Sequence, residues 1–287
     1  MTDQVAALSC WSGAITCKAL AGGLTNRNYL VRDGGQQFVA RLCDDRQFLG
    51  IDRRNERLCQ IAAGEAGVAP EVTHFEQGIL VSRFLDARTL ADDDLQELDL
   101  LQRLAQIIRQ IHSASDRLTG ELLFFCPFQT VRTYTQTARD HGAVLPPDID
   151  QLVEDSRKLS HQMSPFRPTL CHNDLLAANI MDDGDRLWIV DWEYGGIGNP
   201  LFDLAGVSAN AGLSNQMEVH LLEAYTGSVS DTLLHEVRIL KTASLLRESL
   251  WAVIQTVMSD FDFDYAEYAT ENFAKYRQAR LDLDKAS

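Results

Sequence analysis

The period of the apolar positions changes near residue 86. Before it, short β-prone segments at residues 14–20, 28–32 and 37–42 follow a short first helix. They are separated by Gly22-Gly23 and Asp33-Gly34-Gly35, which are turn signals. Residues 54–65 predict a helix with Leu58, Ile61 and Ala62 on one face, ended by Gly67 and Pro70, and residues 71–75 and 79–84 predict two more strands. After residue 86 the spacing is helical. Leu101, Leu104, Ala105, Ile108 and Ile111 mark a helix over Leu98–Ser113, residues 148–162 mark a weaker one, and helices return from Met217 onward. Three short buried strands are expected between them, at 170–172, 180–181 and 187–191. The pattern predicts an α+β chain of two lobes, a small antiparallel-sheet lobe over 1–85 and a large, mainly helical lobe over 86–287, with the linker near residues 82–86.

Composition narrows the class. With 287 residues, 45% apolar and 23% charged, the chain can bury a sizeable core. No apolar run reaches the ~20 residues that cross a bilayer, and the N-terminal stretch carries Asp3 in place of a basic start, so neither membrane insertion nor an export signal is expected. Cysteines 10, 17, 43, 59, 126 and 171 form no CxxC pair and no zinc spacing, which fits a reducing cytoplasm. The formal charge of −15 argues against a nucleic-acid partner and is compatible with a cationic substrate.

The densest chemistry lies in LCHNDLLAANIMDDGDRLWIVDWEYGGIGNPLFDL, residues 170–204. Asp174 and Asn179 stand five positions apart, and Asp191 follows an expected hairpin. Phosphoryl transfer needs a base for the acceptor hydroxyl and hard oxygen ligands for Mg²⁺. Asp174 suits the first role, and Asn179 with Asp191 the second. The spacing is that of the kinase loop H-x-D-x4-N, with Asn173 in place of the usual Arg and Asp-Trp-Glu in place of Asp-Phe-Gly. Asp182, Asp183 and Asp185 read as turn formers. Cys171 beside His172 is expected to be core, because strand neighbours point to opposite faces.

The nucleotide half falls to the first lobe. Gly23, Leu24, Thr25 and Asn26, between two strands, can offer backbone N–H groups to phosphates. No Walker-type G-x4-G-K-[ST] is present. Arg41, in Phe38-Val39-Ala40-Arg41-Leu42, stands where kinases carry V-A-I-K, and Glu56 on the following helix is its natural ion-pair partner. Residues 82–85 are placed at the adenine by position alone.

Taken together, GGLTNRNYLV, HNDLLAANIM, VDWEYGGIGNPLFDLAG and LLRESLWAVIQ…FDFDYAEYATENF resemble the choline/ethanolamine kinase family of the aminoglycoside-phosphotransferase-like superfamily, over residues 22–276. The resemblance implies a two-lobed protein-kinase-like fold, with ATP and Mg²⁺ as cofactors. It implies Asp174 as base, Asn179 and Asp191 as magnesium ligands, and Arg41 on nucleotide phosphate. It implies an acceptor pocket built on Trp251 and Tyr268, with Tyr265 and Trp192 as further wall candidates, and it includes homodimers. A quaternary ammonium has no N–H to donate, so its recognition rests on aromatic faces and carboxylates. Glu248 stands where eukaryotic choline kinases have another aromatic, and one helical turn separates it from Trp251. Asn210 stands where they have a Glu, so the charge is expected to have moved from 210 to 248, or the pocket to have been retuned. Within the resemblance His172 and Asp203 are expected to hold the loop, and His112 to be core or a cap. The leading expectation is a choline kinase. Ethanolamine kinase, thiamine kinase, an aminoglycoside-type phosphotransferase and, outside the enzymes, an inactive nucleotide-binding scaffold are the alternatives.

Overall fold

A computed structural model describes residues 2–20, 26–42, 44–76 and 78–286. Its first part is helix α1 (Thr2–Ala6) and a five-stranded antiparallel sheet of β1 (Thr16–Ala19), β2 (Arg27–Asp33), β3 (Gln36–Leu42), β4 (Val72–Glu76) and β5 (Ile79–Arg83), in the order β1-β2-β3-β5-β4. Between β3 and β4 lies α2 (Arg53–Glu65), whose first turn is capped by the Asp52 carboxylate accepting from the Asn55 N–H. The β2–β3 hairpin closes through Gly34 and Gly35, at φ 54° and 85°. Two consecutive left-handed residues are what a tight antiparallel turn requires, and they fix Asp33 opposite Gln36.

That register sorts the sheet. Tyr29 and Val31 of β2, Phe38 and Ala40 of β3, and Ile79 and Val81 of β5 share one face and bury it against Val5 and Leu8. The two-residue period then turns Asn28, Val39, Arg41 and Ser82 to the other face, where they line a cavity.

The second part comprises β6 (Arg88–Thr89), α3 (Leu98–Ser113), α4 (Pro127–Asp140), α5 (Ile149–Ser160), β7 (Thr169–Cys171), β8 (Ile180–Asp182), β9 (Leu187–Ile189), β10 (Gly196–Gly198), α6 (Leu201–Asn210), α7 (Asn215–Thr226), α8 (Asp231–Met258) and α9 (Tyr265–Ala286). Strands β6, β8 and β9 form one small sheet, and β7 with β10 another. Helix α8 is buried on almost every side from Glu236 to Gln255, packed by α4, α6 and α9. No helix among the described residues is long and apolar enough to cross a membrane.

The sequence pattern finds α3 to the residue but misses α4 and α6. Helix α4 starts with Pro127 at its first position and buries Phe128, Val131, Tyr134 and Ala138, yet its threonines mask the period. Helix α6, LFDLAGVSAN, is buried nearly all round and therefore has no amphipathic stripe to read. The face of α2 is also a correction. Ala62 is buried as expected, but Leu58 and Ile61 are only half-buried, and the rest of the buried face is Arg53, Asn55, Glu56, Cys59, Gln60 and Ala63. A helix that buries its charges is serving a polar site.

The joint between the two parts is tight. Ile189 N–H donates to Val68 O, and Asn55 bonds Gly195 O and the Leu123 N–H. Residues 123–125 run along β10, so a Cβ on Gly196 would sit 2.7 Å from Leu123 O. Backbone must move to accept it, and Gly196→Ala is expected to cost about 1–3 kcal/mol in urea unfolding. An unchanged midpoint would mean that residues 123–125 give way freely.

Candidate active site

Strand β7 delivers the chain into the loop His172–Asn179. Asn173 adopts φ 65° and Asp191 φ 66°, the two non-glycine residues in the left-handed region among those described. Such conformations persist where surroundings over-determine them, and they collect at functional sites. Here the determinant is Asp203 on α6, which is 1% exposed. Its Oδ2 accepts from His172 N–H at 2.9 Å and its Oδ1 from Asn173 N–H at 2.7 Å. His112 Nε2 lies 3.0 Å from Oδ2, and His112 Nδ1 2.7 Å from the Tyr225 hydroxyl. Burial alone would raise the Asp203 carboxyl, but the hydrogen bond and charge of His112 outweigh it and hold it below its ordinary range. His172 Nε2 lies 3.0 Å from Val190 O, tying the loop to the strand that ends at Asp191. The loop-holding roles of His172 and Asp203 are thus seen directly, and His112 belongs to the same assembly.

Asp174 projects beyond this anchor, its side chain 17% exposed. Asn179 Nδ2 donates to Asp174 O at 2.9 Å, closing the loop and leaving the amide oxygen as its acceptor end. Asn210 Nδ2 donates to Leu175 O at 3.1 Å, so Asn210 supports the loop that carries Asp174 and does not line the cavity.

On the opposite wall, Arg41 Nη1 reaches Glu56 Oε1 at 2.8 Å and also Asp191 Oδ1. The pairing of Arg41 with Glu56 matches expectation, but Glu56 is fully buried and acts through Arg41. Sequence reasoning misses Arg53 and Glu193. Arg53 Nη1 contacts Glu56 Oε2 at 2.7 Å and Glu193 Oε2 at 3.0 Å. Burial first, then the charge of Asp191, pushes Glu193 up to about 7. The available signal was the Asp-Trp-Glu triplet, whose second acidic residue stands two positions after Asp191.

The Asn26 side chain donates to Glu193 at 2.9 Å and accepts from Arg53 at 2.9 Å, so it belongs to this polar knot, whereas the contact expected of Asn26 is through its backbone N–H. Gly23, Leu24 and Thr25 lie outside the described residues. Trp192 is fully buried, donates its indole N–H to Ile189 O and packs edge-on against His172 at 4.8 Å. It is core and does not line the cavity, a correction to its expected place in the acceptor wall. Cys171 is likewise buried, with its thiol pushed well up by burial.

Glu248 and Trp251 on α8 and Tyr268 on α9 share the cavity wall with Asp174. The Tyr268 hydroxyl donates to Glu248 Oε1 at 3.0 Å, and the Trp251 and Tyr268 rings meet edge-on at 6.4 Å. Tyr265 stands behind Trp251 at 5.8 Å, off the cavity. Burial raises the Glu248 carboxyl above its ordinary value, opposed by Arg247. Arg247 is another residue missed in the sequence, where it is masked by its place in a buried helix. Its Nη1 lies 3.0 Å from Asp174 Oδ1, and its guanidinium sits 4.5 Å over the Tyr194 ring. A single cavity of about 530 Å³ joins the two walls and runs to Ser82, Arg83, Phe84 and Leu85.

Asp191 and Asn179 both line the cavity, and a carboxylate with an amide oxygen is a donor set that suits a hard cation.

Comparison with known proteins gives a consistent picture. The APH profile, described as the phosphotransferase enzyme family, matches residues 16–239. The chain is 28% identical over 273 residues to Protein LicA of Haemophilus influenzae, covering 91% of this chain and 76% of that protein. It is 26% identical over 304 residues to the probable ethanolamine kinase A of Dictyostelium discoideum, covering 93% and 86%. Among solved structures, a choline/ethanolamine kinase family protein from Mesorhizobium loti superposes with a TM-score of 0.77 at 27% identity, covering 97% of this chain and 94% of that one.

Proposed function

Because the chain belongs to the phosphotransferase enzyme family, we propose that it transfers the γ-phosphoryl group of ATP to the hydroxyl of a small cationic amino alcohol. The observation that carries this reading is the single cavity. It sets Asp174 between a wall of Arg41, Asn179 and Asp191 and a wall of Glu248, Trp251 and Tyr268. Relatives described as ethanolamine kinase and as choline/ethanolamine kinase family support the same substrate class.

In the proposed reaction the acceptor oxygen forms a bond to the γ-phosphorus, the bond to the ADP oxygen breaks, and the hydroxyl proton passes to Asp174. Arg41, held by the buried Glu56, lies on the cavity face of β3 and is the cation for nucleotide phosphate. Asn179 and Asp191 would hold Mg²⁺, which supplies charge neutralisation on the phosphates when bound. The adenine is assigned to the end of the cavity at residues 82–85.

Choline is supported by the Trp251 and Tyr268 faces. A specific observation favours ethanolamine as the second reading. Glu248 takes the place of one aromatic wall, and the Tyr194 face is already covered by Arg247. An ammonium that still carries N–H groups could donate to such a carboxylate, which a quaternary one cannot. Turnover of choline and ethanolamine compared by coupled ADP release decides between them. In either case Trp251→Ala is expected to raise KM for the amino alcohol about ten-fold and leave KM for ATP unmoved. An equal rise in both would make Trp251 a packing residue and place the ammonium elsewhere.

A further inference from the structure

Arg247 stands inside the acceptor half of the cavity, in a place where a protein that binds a cationic alcohol has no evident use for a positive charge. Its side chain is 3% exposed, against 17% for Asp174 and 13% for Glu248. It is nevertheless on the cavity wall, beside both carboxylates, with Nη1 3.0 Å from Asp174 Oδ1 and 3.7 Å from Glu248 Oε2. The guanidinium is stacked on Tyr194 at 4.5 Å and faces Phe125 at 5.7 Å, so its plane is fixed by rings as well as by charge. Helix α8, which carries it, is buried along this stretch and cannot easily swing away.

Two consequences follow from that placement. The first is geometric. Arg247 occupies Oδ1 of Asp174, and the backbone of the loop is locked by Asp203, so the carboxylate is held from both ends with its other oxygen left for the acceptor hydroxyl. The second is electrostatic. Two carboxylates, Asp174 and Glu248, stand against one guanidinium at 3.0 and 3.7 Å, so among these three groups the acids outnumber the bases. That excess matches a monocation, and a dication brings a second charge with no carboxylate of its own there.

We propose that Arg247 is a positioning and specificity-determining residue, which aims the Asp174 carboxylate and sets the acceptor pocket to accept monocationic over polycationic alcohols. This rests on the amino-alcohol reading above.

The test compares ethanolamine with 1,3-diamino-2-propanol at pH 7, in wild type, Arg247→Met and Arg247→Lys. In wild type the monocation is preferred. In Arg247→Met, kcat for ethanolamine is expected to fall about 10–100-fold with KM for ATP within about two-fold, because only the base is misaimed. The ratio of kcat/KM for ethanolamine over the diamine is expected to shrink at least about ten-fold, as the pocket gains a negative charge. Arg247→Lys keeps the charge but loses the planar fork and the stacking, so it should keep the ratio and still lose kcat. Should Arg247→Met not fold, Arg247→Lys carries the test by that split. A ratio unchanged in Arg247→Met, or lost in Arg247→Lys with kcat intact, overturns the inference while the substrate reading stands. A wild type inert toward both alcohols and choline sinks the substrate reading and this inference with it.

Discussion

Replacing Asp174 by Asn is expected to lower kcat by about 10²–10⁴-fold while KM for ATP stays within about two-fold. The substitution preserves shape, removes the ability to take a proton and turns the Arg247 ion pair into a neutral contact. Its surroundings explain why so much of the loss should fall on kcat. Asp174 lies on the cavity wall, but the proposed phosphate contacts belong to Arg41, Asn179 and Asp191. Asn179 donates to the backbone carbonyl of residue 174, a bond that Asn in that position leaves intact. Nucleotide binding and loop closure therefore survive. Coupled ADP release, followed over both substrates, is the measurement. An Asn variant with near-normal turnover would require another base, and His172 is no substitute because it is buried and turned to Val190 O.

Asp203→Ala is expected to reduce stability by about 3–5 kcal/mol and to remove activity together with it. The carboxylate is the common acceptor for His172 N–H, Asn173 N–H and His112 Nε2. Its loss strands these groups in a site with no water access, and each stranded donor carries its own desolvation cost. It also frees Asn173 from the left-handed conformation that delivers Asp174 to the cavity. A thermal midpoint lowered by on the order of 10 °C is the corresponding expectation in a scan. The pH dependence has a definite sign. The Asp203 carboxyl is held below its ordinary value of 3.8 in the folded protein, so its contribution is complete above that value and is lost as pH falls through the folded one. The gap in unfolding free energy between wild type and Asp203→Ala should therefore be full at neutral pH and narrow below about pH 4. A gap that widens on acidification would mean that Asp203 is not the ionised partner of His112.

The parts of this molecule that were legible in the sequence are those where local chemistry and local geometry coincide. The spacing from His172 through Asn179 to Asp191 lies on one short loop and hairpin, so residues close in sequence are close in space. The pairing of Arg41 with Glu56 could be read because a strand and its following helix meet in a predictable way. What escaped were partners delivered from far along the chain. Arg247 reaches Asp174 across 73 positions, and Arg53 reaches Glu193 across 140. No period or motif announces such a meeting; only packing does. Trp192 shows the reverse error, an aromatic next to Asp191 that packs fully into the core. Helix α6 was missed for a related reason, since a helix enclosed on all sides shows no stripe in its sequence.

The polar knot around α2 has a consequence for how this site can change over time. The two oxygens of Glu56 are divided between Arg41 and Arg53, and Glu193 is shared by Arg53 and Asn26. Exchanging any member alters the contacts of its neighbours in the knot, so the effects of paired substitutions here will not sum. Glu248, Trp251 and Tyr268 stand outside this knot, on the far side of the cavity. A scaffold divided in this way can vary what it phosphorylates while keeping how it does so.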